Sequence, residues 1–310
     1  MIIHSGLQPI ESKLPVITFG IFDGVHRGHK QLLGHVKEMA DRSGVQSAVI
    51  TFWPHPRLML GKADNDFRLL STLNEKSRLI AETGIDHLLI VPFTVDFASI
   101  EPLEFIRGCV YDPFHPSRIL VGDDVRFGAG GKGDINLLSE QGKSLGFEVT
   151  RFDSWLHNRK RISSTDIRYS LKTGDLASAN EMLGYPYSLT GKVTTGNRIG
   201  NTIGFPTANI IVSETFKQIP SDGVYAVYAS TGNRIYGGML NIGIRPTIDD
   251  YNHRTIEVHM FGLVGDLYGE SVEIRFVSRL RDEMKFSSLD ELKTQLGLDR
   301  DAAKRILESY

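Results

Sequence analysis

Apolar and polar positions change their period near the middle of the chain. In the first half, short unbroken apolar runs alternate with segments whose apolar residues recur every three or four positions. The runs predict strands at 16–20, 46–52, 87–92, 118–122 and 147–152. Helical spacing, as in Leu32, Leu33, Val36, Met39 and Ala40, predicts helices at 29–42, 74–83, 102–109 and 136–145. This alternation argues for βαβ units and a parallel sheet covered on both faces, with active sites beyond the carboxyl ends of the strands.

Two shorter helical patterns follow at 164–172 and 176–183, and Gly184-Tyr185-Pro186 then breaks the chain. The expected domains are therefore 1–185 and 186–310. Beyond the break the period is two. Strands are predicted at 187–193, 208–212, 224–229, 234–241, 254–261 and 271–276, punctuated by Gly and Pro. Ile256, Val258 and Met260 alternate with Glu257 and His259. That many strands in a short span suggest an antiparallel β-barrel. The chain closes with helical spacing at Leu289, Leu292 and Leu296, then at Ala303, Ile306 and Leu307.

Composition narrows the function. A length of 310 residues suits about two domains. Lys and Arg total 35 against 37 Asp and Glu, a formal net charge of −2, which gives no reason to expect nucleic-acid binding. The single Cys109 excludes an internal disulfide and fits a reducing cytoplasm, where the protein is expected. No apolar run suits a membrane span, and residues 1–15 lack a basic start followed by an apolar core. Neither a membrane nor an obligatory protein partner is expected.

The strongest chemical signal is Gly20-Ile21-Phe22-Asp23-Gly24-Val25-His26-Arg27-Gly28-His29, set between a predicted strand and a predicted helix. Glycines let backbone approach a ligand, and a helix N-terminus suits phosphate. His26 and His29 share a face of the first turn. They also fit half of a zinc site, although no Cys lies near and Asp23 is the only close carboxylate.

The whole string resembles the H-x-G-H signature of nucleotidylyltransferases. In its fuller form it resembles the N-terminal module of bacterial bifunctional riboflavin kinase/FAD synthetases. Three further segments resemble the same module. They are Phe52-Trp53-Pro54-His55-Pro56, Val121-Gly122-Asp123-Asp124-Val125-Arg126-Phe127-Gly128, and Arg161-Ile162-Ser163-Ser164-Thr165-Asp166-Ile167-Arg168. Read without the family, these are a rigid turn, an acidic turn and a capped helix start. The resemblance implies a Rossmann-like nucleotidylyltransferase domain that joins FMN to the adenylyl group of ATP and releases pyrophosphate. It gives catalytic roles to His26 and His29. It puts ATP and its phosphates on Gly20, Phe22, Asp23, Gly24, Gly28, His55, Ser164, Thr165 and Arg168, and FMN or nucleotide on Asp124, Arg126 and Phe127. The FMN phosphate is already ionised, so no general base is required.

In the second half, Gly196-Asn197-Arg198-Ile199-Gly200-Asn201-Thr202-Ile203-Gly204-Phe205-Pro206-Thr207-Ala208-Asn209 lacks the ending of a Walker A loop. Its P-T-A-N ending resembles riboflavin kinases. The resemblance implies a six-stranded riboflavin kinase barrel with C-terminal helices. ATP would be bound at Gly196, Gly200, Gly204, Pro206, Thr207 and Asn209, with magnesium on Thr207 and Asn209. Glu257 would be the base that takes the proton of a neutral hydroxyl, and Arg281 and Phe286 would hold the flavin. Ile21, Val125, Asn201 and Gly262 depart from the family's usual residues. They leave open an alternative, a flavin- or nucleotide-binding regulatory protein with one activity lost.

Overall fold

The computed structural model describes residues 1–10, 13–61, 63, 66–153, 156–157, 160–194, 203–245 and 253–310. They form two compact units, Met1–Ser164 and Thr165–Tyr310.

The first unit is built on a six-stranded sheet. Its strands are β1 (Ile2–Ser5), β2 (Val16–Gly20), β3 (Ser47–Trp53), β4 (His87–Pro92), β5 (Arg118–Gly122) and β6 (Glu148–Phe152), in the order β1-β4-β3-β2-β5-β6. Every pairing is parallel. Val16–Phe19 are buried in succession because both faces of a central parallel strand are covered. β1 escapes sequence reading: it is short, and at the sheet edge Ile2 and Ile3 stay exposed. Helix α1 (Arg27–Ser43) buries Leu32, Leu33, Val36 and Ala40 and ends on Gly44 at φ 65°. A capping box between Thr72 and Glu75 starts α2 (Leu73–Ala81). The helix expected at 102–109 runs on to Phe114, with π-helical turns over Phe105–Tyr111. α3 (Ile135–Leu145) and a short antiparallel pair, β7 (Leu156–His157) with β8 (Lys160–Arg161), also belong to this unit. Cys109 lies in the core beside Ile106 and Phe105.

Helices α4 (Ser164–Thr173) and α5 (Leu176–Leu183) precede the barrel. Asn180 fastens α5 to it: its Nδ2 donates to Phe276 O at 2.9 Å and its Oδ1 accepts from Tyr187 N at 2.7 Å. The barrel strands are β9 (Ser188–Thr194), β10 (Ala208–Ile211), β11 (Gly223–Thr231), β12 (Arg234–Arg245), β13 (His253–Met260) and β14 (Ser271–Arg281). They close in the order β10-β13-β12-β11-β14-β9, antiparallel throughout. Ile256, Val258 and Met260 are buried, so the alternation of β13 turns Glu257 and His259 to the barrel's outer face. The expected C-terminal helices are one unbroken helix, α6 (Leu289–Glu308). Gly297 lies within it and costs only propensity. Ala303 and Leu307 of α6 pack with Phe205, Ala226 and Met239 outside the barrel.

Candidate active sites

A cavity of about 800 Å³ opens in the first unit. Gly20, Phe52, Gly122 and Phe152 line it from the carboxyl ends of β2, β3, β5 and β6, where a parallel sheet offers its ligand site.

The turn between β2 and α1 is held in an uncommon conformation. Phe22, Gly24 and Val25 all have positive φ, at 51°, 77° and 34°. Asp23 supports it. Its carboxylate accepts from Leu70 N at 3.0 Å and from Ser71 N at 3.1 Å, and its carbonyl accepts from Ser164 Oγ at 2.9 Å. Gly24 N donates to Ser71 Oγ at 3.0 Å. Asp23 and Gly24 thus form the turn's frame behind the cavity wall. Phe22 is buried and meets His29 edge-on at 5.2 Å, and a Cβ on Gly20 would stand 3.1 Å from the Phe22 ring.

His26 caps α1, its Nδ1 accepting from His29 N at 3.4 Å. That acceptor role leaves the proton of the neutral ring on Nε2. The rings of His26 and His29 stack with centroids 3.6 Å apart. A Cβ on Gly28 would come within 3.3 Å of the His26 ring. Burial lowers the His26 pKa to about 4, Asp23 opposing and Arg161 adding to the shift. Burial also holds His29 well below its ordinary value, helped by His26, Lys76 and Arg161. Both rings are neutral near pH 7.

Lys76 reads in sequence as an ordinary helix lysine, yet it is buried behind the turn. It is 2 % exposed, and its Nζ donates to Ile21 O at 3.1 Å, Thr51 Oγ1 at 3.2 Å and Phe52 O at 3.4 Å. Burial lowers its pKa to about 8 against the pull of Asp23. Arg161, the first residue of the Arg161–Arg168 motif, lines the cavity. It pairs with Asp123 at 2.9 Å and with Asp124, which faces the cavity.

His55, Arg126, Phe127 and Ser164 also line this cavity. His55 caps the turn Pro56–Met59, with Nδ1 accepting from Arg57 N at 3.1 Å. Phe127 stacks on Phe105 at 5.4 Å, and Phe52, Phe93 and Phe97 extend this aromatic wall. Those rings read in sequence as core, since strand and helix periodicity alone accounts for them. Thr165 and Arg168 belong to the second unit.

A second cavity, of about 310 Å³, lies on the outer face of the barrel beside α6. One row of register partners crosses its wall. Asn209 of β10 is opposite Glu257 of β13, Glu257 is opposite Asn241 of β12, Asn241 is opposite Val224 of β11, and Val224 is opposite Arg281 of β14. Thr207 Oγ1 donates to Glu257 Oε2 at 3.4 Å. The Thr207 hydroxyl and Asn209 amide are oxygen donors beside a carboxylate, a set that fits magnesium carried by a nucleotide. His259 Nδ1 bonds Pro206 O at 2.7 Å and so ties the P-T-A-N segment to β13. Gly204 does not line the cavity, and Gly196, Gly200 and Asn201 lie outside the described residues.

Arg281 and Phe286 line the same cavity. The Arg281 guanidinium grips buried Asp299 of α6, Nε to Oδ1 at 2.9 Å and Nη2 to Oδ2 at 2.6 Å, and Phe286 lies 5.9 Å from it. Asn241 and Asp299 are additions that the sequence did not announce: one reads as strand, the other as an exposed helical acid.

Residues 9–166 match the FAD synthetase family model, and residues 183–307 match the riboflavin kinase model. The bifunctional riboflavin kinase/FMN adenylyltransferase of Escherichia coli K12 is 39 % identical over 290 residues, covering 93 % of this chain and 91 % of that protein. The Bacillus subtilis 168 protein of the same name is 36 % identical over 301 residues, covering 95 % and 93 %. A crystal structure of a Streptococcus pneumoniae protein described as a macrolide-efflux protein superposes with a TM-score of 0.87 at 29 % identity, covering 98 % of this chain and 99 % of that one. Among the described residues, no helix is long and apolar enough to cross a membrane.

Proposed function

The chain belongs to the family of bifunctional riboflavin kinases/FMN adenylyltransferases, and from that premise we propose which residues carry each of its two reactions. It phosphorylates riboflavin to FMN and adenylylates FMN to FAD. Residues 1–185 are assigned to adenylyl transfer and 186–310 to phosphorylation, in the cytoplasm, with ATP as co-substrate of both. The observation that supports the assignment is that His26, His29, His55, Asp124 and Ser164 line a cavity within the first unit, while Thr207, Asn209, Glu257 and Arg281 line another within the second.

In adenylyl transfer, an oxygen of the FMN phosphate forms a bond to the α-phosphorus of ATP while the bond to the departing pyrophosphate breaks. The nucleophile is already an anion, so catalysis is positioning and charge stabilisation. Neutral His26 and His29 donate N–H to phosphate oxygens at the start of α1, where free backbone N–H groups add to the field. Gly20 and Gly28 keep that approach open. His55 and Ser164 serve the departing phosphates. Asp124, Arg126 and Phe127 serve FMN and nucleotide, Asp124 steadied by Arg161.

In phosphorylation, Glu257 accepts the proton of the riboflavin hydroxyl as its oxygen attacks the γ-phosphorus and ADP departs. Thr207 and Asn209 would hold magnesium, which neutralises triphosphate charge when bound. Gly196, Gly200, Gly204 and Pro206 complete the nucleotide loop, and Arg281 and Phe286 hold the flavin.

The test separates the two products. The protein is incubated with riboflavin, ATP and magnesium, and the flavins are resolved. His29→Ala is expected to abolish FAD while FMN accumulates. Glu257→Gln is expected to abolish FMN while FAD still forms from supplied FMN. A folded variant that loses both activities would overturn the division into two sites.

A further inference from the structure

Gly243 lies two residues beyond Asn241 on β12, on the same outer face of the barrel. Its φ is not positive, so its backbone does not call for glycine. The space above it does. A Cβ there would stand 1.9 Å from Glu283 Oε1, 2.5 Å from its Cδ and 2.9 Å from its Oε2. The Glu283 carboxylate rests on the bare strand. Gly243 is opposite Thr255, which precedes Glu257 by one step on the same face of β13. Glu283 therefore extends the polar wall that Glu257 and Asn241 begin, and all three line one cavity. The loop carrying it is held from below, since Arg281 Nη1 donates to Asp282 O at 2.8 Å. Met284, Phe286, Leu292 and Leu296 make the remainder of this side apolar.

We propose that Glu283, seated on Gly243, is a specificity-determining residue of the barrel pocket, accepting hydrogen bonds from the inner hydroxyls of the substrate's polyol chain. A carboxylate only accepts, so its partner must bring a donor. Riboflavin has donors on its ribityl chain and on its ring imide. The chain is the partner because its reacting hydroxyl lies at Glu257, and its neighbours must then run along the wall that Glu283 continues. The ring is left to the apolar side. This rests on the reading of the pocket as the riboflavin site with Glu257 as its base.

The test uses the full chain and reads riboflavin affinity by flavin fluorescence, together with kinase kcat and KM. Glu283→Ala is expected to weaken binding about tenfold, the effect of one charge-assisted hydrogen bond, and to act on KM more than on kcat. Gly243→Ala displaces the same carboxylate and should match it. Combining the two should cost no more than Glu283→Ala alone. Among flavins each missing one inner ribityl hydroxyl, at least one should bind wild type about tenfold more weakly than riboflavin and be indifferent to Glu283→Ala. Riboflavin methylated on its ring imide nitrogen should keep its dependence on Glu283. The inference falls if Glu283→Ala binds riboflavin like wild type, if the two losses multiply, or if methylation removes the dependence. Glu257→Gln is run alongside. If it still phosphorylates riboflavin, the pocket reading fails and takes the inference with it. If it is inactive while Glu283→Ala binds normally, only the inference fails.

Discussion

His26 and His29 stack with their ring planes within 17° of parallel, His26 capping the helix whose first turn carries His29. Two imidazolium ions could not share that geometry, buried beside Lys76 and Arg161. The pair is therefore a neutral donor surface at a helix N-terminus, which suits phosphate transfer to an anionic nucleophile. A proton-accepting dyad would require a different environment.

Neutrality at this position makes stability depend on pH. The unfolded ring takes its proton near pH 6.5 and the folded His26 only near about 4. Between these values the unfolded state binds more protons, so stability is complete above about pH 6.5 and falls as the pH drops toward about 4. The shift corresponds to roughly 3 kcal/mol. Urea unfolding of wild type and His26→Gln across this window should show a flatter pH profile for the variant. Parallel profiles would mean that His26 does not carry the dependence.

Asp23 acts on the site through the turn it holds. Asp23→Ala leaves the N–H groups of Leu70 and Ser71 without their acceptor, a cost of about 2–4 kcal/mol in urea unfolding. Adenylyl transfer should fall in the folded fraction as well, because Phe22 and Val25 keep positive φ only while the turn is braced. Asp23→Asn retains one acceptor oxygen and should lie between the two. Full activity in Asp23→Ala would instead make the turn self-supporting.

Much of this was legible in the sequence, and what was not has physical causes. Period and punctuation located the central strands, the barrel and the strand–turn–helix at Gly20–His29. The edge strand Ile2–Ser5 has no buried run to betray it. The Gly20–His29 string indicated that His26 and His29 approach phosphate; burial, which sequence does not report, decides that they are neutral. Asp23 and Phe22 stand in the same string as ligand candidates; the structure turns Asp23 inward as the turn's frame, while Phe22, though buried, lines the cavity. Ile21 departs from the family's usual residue; its carbonyl is what Lys76 and Thr51 hold, and its side chain packs against the core and lines the cavity. Glu257 reads correctly as an outward strand residue; only the closed barrel and α6 make that outward face a pocket.

Lys76 ties the end of β3 to the turn after β2. Its ammonium is costly to bury, and its hydrogen bonds offset that cost, so Lys76→Met should shift stability by no more than about 1 kcal/mol. The Ile21 and Phe52 carbonyls would lose their common donor, and FAD formation should drop at least tenfold while FMN formation persists. Parallel assays of both products, with urea unfolding, check this. A variant that keeps FAD formation would show that the turn does not need the tie.

Asp299 and Arg281 join α6 to the rim of the barrel pocket. Asp299 is 4 % exposed, and Arg281 reaches it through Nε and Nη2 while Gln295 Nε2 donates to Oδ1 at 2.9 Å. Removing one member of a buried pair strands the other's charge, so Asp299→Ala should cost about 3–5 kcal/mol. The Arg281 side chain also fixes the Asp282 carbonyl at the start of the loop that carries Glu283 and Phe286. Riboflavin phosphorylation should therefore fall in whatever fraction stays folded, chiefly through KM, while adenylylation of supplied FMN continues. Asp299→Asn keeps the shape and one strong acceptor and should lose less on both measures. Urea unfolding and the two product assays read these effects on one preparation. A cost below about 1 kcal/mol for Asp299→Ala would mean that the apolar contacts of α6 at Ala303 and Leu307 hold the helix without the ion pair.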